Sequence, residues 1–239
     1  MVPPSESLDR CPHKAEWVLL NVESGQVLPA SCKRNGCEYC GPRKASGVGG
    51  AITLAEPERL ITLTQVGPDW ATIRGRVKRL SSFIRRETGK RFQMAYHVEP
   101  NPKGTGHHVH GFQRGDFIPQ AVLASMASRQ GMGYVVDIRR YRAGKRASTY
   151  GVKLAGIGYG LKATATSEGL RSYLDLNGGR FVHASRDFWR DENGQRCTQG
   201  DAVRAWWRTR HEIDEESGQW QLVRRTDLSR AVGAHTSTR

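Results

Sequence analysis

His107-His108-Val109-His110-Gly111-Phe112 is the stretch from which the rest of the chain is read. As a β-strand it sends successive side chains to opposite faces. His108 and His110 then share one face with Phe112, Val109 enters a core, and His107 points away. The Cα atoms of the two histidines sit roughly 6–7 Å apart in such a strand, which lets both imidazoles close on one divalent cation. Imidazole suits several metals, so the pair alone does not choose the ion. Gly104, Gly106 and Gly111 allow sharp turns beside the run. Upstream, Met94 to Glu99 reads as a second strand that ends at Pro100 and turns through Asn101-Pro102-Lys103-Gly104 into the histidines. A hairpin of that kind brings Glu99 to the pair as a third, oxygen ligand. His97 shares the face of Glu99 and is the weaker candidate.

The chain has 239 residues, enough for one substantial core with a small appended module. Its 37 Lys+Arg against 23 Asp+Glu give a net charge of +14. That excess points to a polyanionic partner. A membrane surface is the alternative, but no run approaches the ~18 apolar residues of a membrane span, and the first residues do not resemble a signal peptide. The expected compartment is the cytoplasm, with no membrane association.

Cys32-Lys33-Arg34-Asn35-Gly36-Cys37-Glu38-Tyr39-Cys40 clusters three thiols, and Cys11-Pro12-His13 offers a fourth ligand through Cys11 or His13. Clustered thiols in an unsecreted chain favour structural zinc over disulfides; free or redox-active thiols are the alternative. Cys197 stands alone and reads as an ordinary side chain.

Along the chain, Glu16 to Val22 reads as a strand and residues 41–59 as a connection of small and polar residues. Arg59 to Val66 is a central strand. Trp70, Ile73, Val77, Leu80 and Ile84 recur at helical spacing after Pro68-Asp69. Arg74, Arg76, Lys78, Arg79, Arg85 and Arg86 occupy the rest of that helix, a face that suits phosphates or solvent equally. Pro119 to Gln130 is a short helix whose Val122, Leu123 and Met126 face the sheet, and Tyr134 to Ile138 is a strand. A cationic loop follows, with Arg139, Arg140, Arg142, Lys145 and Arg146 as candidate DNA contacts. Then Tyr-x-x-Lys occurs twice, as Tyr150/Lys153 and Tyr159/Lys162. On a helix each pair sets a phenol beside an ammonium. Trp189, Trp206, Trp207 and Trp220 read as a small satellite core or, beside the arginines, as platforms for unpaired bases, with Asp201 to Arg210 a short helix, Gly218 to Arg225 a strand and a disordered tail after Asp227. The expected architecture is α+β: a central antiparallel sheet with packed helices and a small N-terminal zinc-binding module. The expected boundaries are 1–50 for that module, 51–190 for the central domain and 191–239 for a C-terminal extension.

His108-Val109-His110, an acidic residue upstream and a helical Tyr-x-x-Lys downstream resemble the HUH endonucleases, in particular the rolling-circle replication initiators of phages, plasmids and small single-stranded DNA viruses. Ile61-Thr62-Leu63-Thr64 resembles the first motif of that family, the cysteine cluster its zinc-binding N-terminus, and Gly179 through Phe188 a basic segment after the tyrosine helix. The resemblance covers roughly residues 11–190 and implies an HUH/RRM-like sheet. It also implies Mg²⁺ or Mn²⁺ on His108, His110 and Glu99, although a His₂Glu set suits zinc as well. The implied activity is nicking and joining of single-stranded origin DNA through a 5′-phosphotyrosine in a bacterial host.

Tyr150 is the expected nucleophile and Tyr159 the alternative, with Lys153 or Lys162 offsetting phosphate charge or holding the phenol. The nine residues between the tyrosines put them on opposite sides of a continuous helix, about 180° apart. No Walker-type phosphate loop is present, so a host helicase and polymerase are expected partners. Other readings are a different HUH enzyme, a transposase or relaxase, and a zinc-containing nucleic-acid-binding regulator without catalysis.

Overall fold

The computed structural model describes residues 17–29, 32, 35–37, 40–65, 70–100, 106–141, 174–211 and 220–229. The elements are β1 (Trp17–Asn21), β2 (Val27–Pro29), α1 (Gly41–Leu54), β3 (Arg59–Gln65), α2 (Trp70–Thr88), β4 (Phe92–Pro100), β5 (His107–Gly115), α3 (Gln120–Arg129), β6 (Val136–Arg140), β7 (His183–Ala184), α4 (Gln199–His211) and β8 (Trp220–Arg224). The architecture is α+β. A five-stranded sheet runs β6-β3-β5-β4-β7 and a three-stranded sheet runs β2-β1-β8, both antiparallel.

The large sheet is buried on both faces, because β3, β4 and β5 alternate between two different cores. Ile61, Leu63, Met94, Val98, Val109 and Val136 point to one face, where Ile73, Val77, Leu80 and Ile84 of α2 and Leu123, Met126 and Ala127 of α3 cover them. The helical stripe of α2 is thus the expected one. In α3, however, Val122 is exposed, and Leu123, Met126 and Ala127 make the contact instead.

The opposite face carries Leu60, Ala95 and Phe112 beneath Ala45, Val48, Ala51 and Ile52 of α1. The stretch expected to be a connection is therefore a buried helix, and the expected boundary at residue 50 falls inside it. Small residues hide this helix in the sequence, because they serve to let α1 approach its neighbours. A Cβ on Gly50 would lie 2.0 Å from the Trp206 ring of α4, and one on Gly47 2.7 Å from Nε1 of Trp207. Of the tryptophans expected in a satellite core, Trp189 lies in the same cluster as Phe112, Trp206 and Trp207 stand on α4 against α1, and Trp220 opens β8 in the smaller sheet. The segment beyond residue 191 also supplies β8, whose Leu222 pairs with Leu19 of β1.

Candidate metal centres

Register places the histidine cluster. In the β4–β5 hairpin His97 lies opposite His110 and Glu99 opposite His108; on the other side of β5, Thr62 lies opposite His110 and Thr64 opposite His108. Cross-strand partners share a face, so all six residues stand on the α1 side of the sheet. They continue that face past Leu60, Ala95 and Phe112, and all but His97 remain partly exposed.

Glu99 lies between two rings. Its Oε1 is 2.9 Å from Nε2 of His97 and its Oε2 is 3.6 Å from Nε2 of His110. His108 meets the His110 ring edge-on, with centroids 5.7 Å apart. His97, fully buried, makes the closer contact to the carboxylate than either histidine of the pair. Its position was legible in the alternation of β4, but its hydrogen bond was not. Nδ1 of His110 is 3.2 Å from the Thr62 hydroxyl. If Nδ1–H donates to Thr62, Nε2 is left with a lone pair facing the carboxylate, the tautomer a metal ligand requires. Thr62 is a contributor that the sequence reading saw only as part of a strand motif.

Electrostatics suit cation binding. Burial works to raise the Glu99 carboxyl, but the hydrogen bond from His97 and the charges of His97, His110 and His108 outweigh it and hold the group below its ordinary range. Burial, reinforced by His97 and His108 and opposed by Glu99, pushes His110 down to about 4. The set therefore offers an ionised carboxylate and a neutral imidazole side by side at neutral pH. Its ligand atoms are not drawn together as tightly as those of the thiol cluster: among the described residues, Cys32, Cys37 and Cys40 form the group whose atoms all fall within 4.8 Å of one another.

That cysteine group is buried. A tetrahedral zinc with Zn–S near 2.3 Å needs sulfurs about 3.8 Å apart, which the cluster accommodates. Two backbone N–H groups already point at sulfur, from Cys32 to Cys40 Sγ and from Cys40 to Cys37 Sγ, each at 3.4 Å. Cys40 is also the N-cap of α1, with Pro42 in the first turn. Asn35 of the intervening loop donates to the Gly179 carbonyl at 2.9 Å and ties the cluster to the turn before β7. Cys197 lies apart, with burial, Asp191 and Asp201 pushing its thiol up.

Of the expected DNA contacts, Arg139 and Arg140 are both exposed at the end of β6. Arg139 pairs with Leu60 on the histidine face, whereas Arg140 pairs with Arg59 on the other. Alternation therefore divides the two between opposite surfaces, and Arg139 is engaged by Asp137 at 2.7 Å. Cys11, His13, Arg142, Lys145, Arg146, Tyr150, Lys153, Tyr159 and Lys162 lie outside the described residues, as does most of the tail after Asp227.

Fold and sites together define an α+β protein with antiparallel sheets and a three-cysteine cluster that could hold a metal such as zinc. No helix among the described residues is long and apolar enough to cross a membrane. No protein-family model, characterised protein or solved structure matches the chain.

Proposed function

We propose that the chain nicks and rejoins single-stranded DNA at a replication origin through a covalent 5′-phosphotyrosine, and so starts rolling-circle replication. The observation that carries this reading is the convergence of His108, His110 and Glu99 on one partly exposed face of a central antiparallel sheet. The sheet order β6-β3-β5-β4-β7 accords with an HUH/RRM-like fold, and the net charge of +14 suits a DNA substrate.

His108, His110 and Glu99 would hold a divalent cation, Mg²⁺ or Mn²⁺, which when bound polarises a phosphodiester and stabilises the departing 3′ oxygen. Thr62 fixes the His110 ring, and His97 orients the Glu99 carboxylate. The phenol oxygen of Tyr150, with Tyr159 as the alternative, forms a bond to phosphorus as the bond from phosphorus to the 3′ oxygen breaks. The phenol proton leaves to solvent and the 3′ oxygen takes one up. Bond energy stays in the phosphotyrosine, so attack by a 3′-hydroxyl reverses the step without a nucleotide cofactor. Lys153 or Lys162 offsets phosphate charge. The cysteine cluster serves a structural zinc, with Cys11 or His13 as fourth ligand. Unwinding and synthesis fall to a host helicase and polymerase in the bacterial cytoplasm.

The test is incubation of labelled single-stranded origin DNA with the full chain and Mn²⁺, followed by denaturing electrophoresis. A covalent adduct is expected, lost in Tyr150→Phe and in His108→Ala/His110→Ala but kept in Tyr159→Phe. No adduct with any origin fragment would favour a zinc-containing nucleic-acid-binding regulator.

A further inference from the structure

A second feature lies on the other face of the large sheet, at its β7 edge. A cleft of about 670 Å³ runs between α2 and the segments flanking β7, floored by β4. Among the described residues, six cations line it, Arg74, Lys78, Arg85, Arg91, Arg180 and Arg186, and the one carboxylate, Asp187, is engaged by Arg196 at 3.0 Å. Among the described residues, none of Lys78, Arg85, Arg91, Arg180 or Arg186 is ion-paired.

The arrangement is ordered. At about 100° per residue, Arg74, Lys78 and Arg85 fall within roughly 40° of one another around α2, and Ser81 lies about 20° from Arg74 on the same stripe. Arg79 and Arg86, their exposed neighbours in sequence, lie about 100° further round and outside the cleft. The eleven steps from Arg74 to Arg85 rise about 16 Å, the length over which one strand of a duplex presents about five phosphates. Arg180 and Arg186 form the facing wall. Like charges on two facing walls repel, and a ligand charged along its whole length offsets that repulsion.

We propose that this cleft is a backbone track for DNA, distinct from the histidine face, which takes the phosphates of a strand without regard to base sequence. A lipid surface does not fit, because the cations face into a concavity. An acidic polypeptide fits less well: the apolar side chains of the lining, Val77, Phe92 and Met94, are buried and offer no pockets for side chains. The phosphate track stands on the cleft alone, and the choice of DNA over RNA rests on the nicking reading.

The test is fluorescence anisotropy with the full chain, no added divalent cation, and a labelled oligonucleotide of about 20 nucleotides of arbitrary sequence, single-stranded or annealed, across about 50–200 mM salt. Lys78→Ala/Arg85→Ala removes two phosphate contacts. The slope of log affinity against log salt is then expected to become shallower by about 1.8 for duplex, or by about 1.4 for a single strand. On duplex, a fourfold rise in salt then costs the variant about twelvefold less affinity than the wild type. The arm that shows the change identifies the form of DNA bound.

Arg79→Ala/Arg86→Ala, with the same charge loss on the same helix, is expected to keep the wild-type slope. Arg180→Ala/Arg186→Ala, on the other wall, is expected to repeat the effect and gives a second reading should the α2 variant fail to fold. Equal slopes in the Lys78/Arg85 and Arg79/Arg86 variants would overturn the track. So would displacement of the oligonucleotide by polyglutamate at equal charge concentration, which would assign the cleft to acidic polypeptide.

Discussion

His97 is the residue whose role the structure most changes, and replacing it by leucine isolates that role. Leucine is close to histidine in volume and suits a fully buried position, but it removes the donor 2.9 Å from Glu99 Oε1. A hydrogen bond to a charged group contributes about 1.5–3 kcal/mol, and each ~1.4 kcal/mol is a factor of ten in affinity. His97→Leu is therefore expected to weaken Mn²⁺ binding about 10- to 150-fold. Burial raises the Glu99 carboxyl and the His97 hydrogen bond is the first of the effects that lower it. Without that bond a proton competes better for the carboxylate, so the deficit grows as pH falls. His97→Gln keeps an amide donor near the position of Nε2 and is expected to recover most of the affinity. Isothermal titration with MnCl₂ at two pH values reads all of this, with circular dichroism to confirm folding. A folded His97→Leu protein that binds Mn²⁺ as tightly as wild type would refute the reasoning, for Glu99 would then not depend on His97.

Two helical glycines should respond to alanine in opposite directions. At Gly75 of α2 a Cβ meets Arg79 Nη1 at 3.5 Å, so Gly75→Ala should raise stability by up to about 1 kcal/mol in urea unfolding. At Gly50 the same methyl would enter the Trp206 ring; overpacking of about 3 kcal/mol less that helical gain leaves a net loss of about 2 kcal/mol. A stabilised Gly50→Ala variant would mean that α1 and α4 do not pack as described. For the cysteines, the purified chain should carry one equivalent of zinc, lost in Cys37→Ser and on chelation. Either treatment should lower Tm, by roughly 2–4 °C for each kcal/mol removed; an unchanged Tm after the metal is stripped would sink the structural role.

The residues that spoke plainly in the sequence were those with a period. Alternation in Met94–Glu99 and His107–Phe112 fixed which side chains share a face, and the observed register, Glu99 against His108, follows from that hairpin. The apolar stripe of α2 was legible for the same reason. Alpha-helix 1 was not, because glycine and alanine carry no periodic hydrophobic signal when they serve close approach; what identifies Gly50 as helical is Trp206, more than 150 residues away. The pairing of β1 with β8 was invisible likewise, since each strand is too short to name its partner. At the histidine site the residues and their common face could be read. The contacts of Thr62 and His97 could not, because hydrogen bonds between strands depend on register and not on spacing within one segment.

That β1–β8 ladder bears on how the chain is made. Leu19 pairs with Leu222, a separation of 222 − 19 = 203 positions. At a ribosomal pace of about 5–20 residues per second, β1 waits roughly 10–40 s before its partner exists. Throughout that interval one flank of β1 exposes unsatisfied amides and carbonyls to whatever nascent chains stand nearby. A shortened gene that stops before Trp220 would make the wait permanent, and its product should be recovered mainly in inclusion bodies.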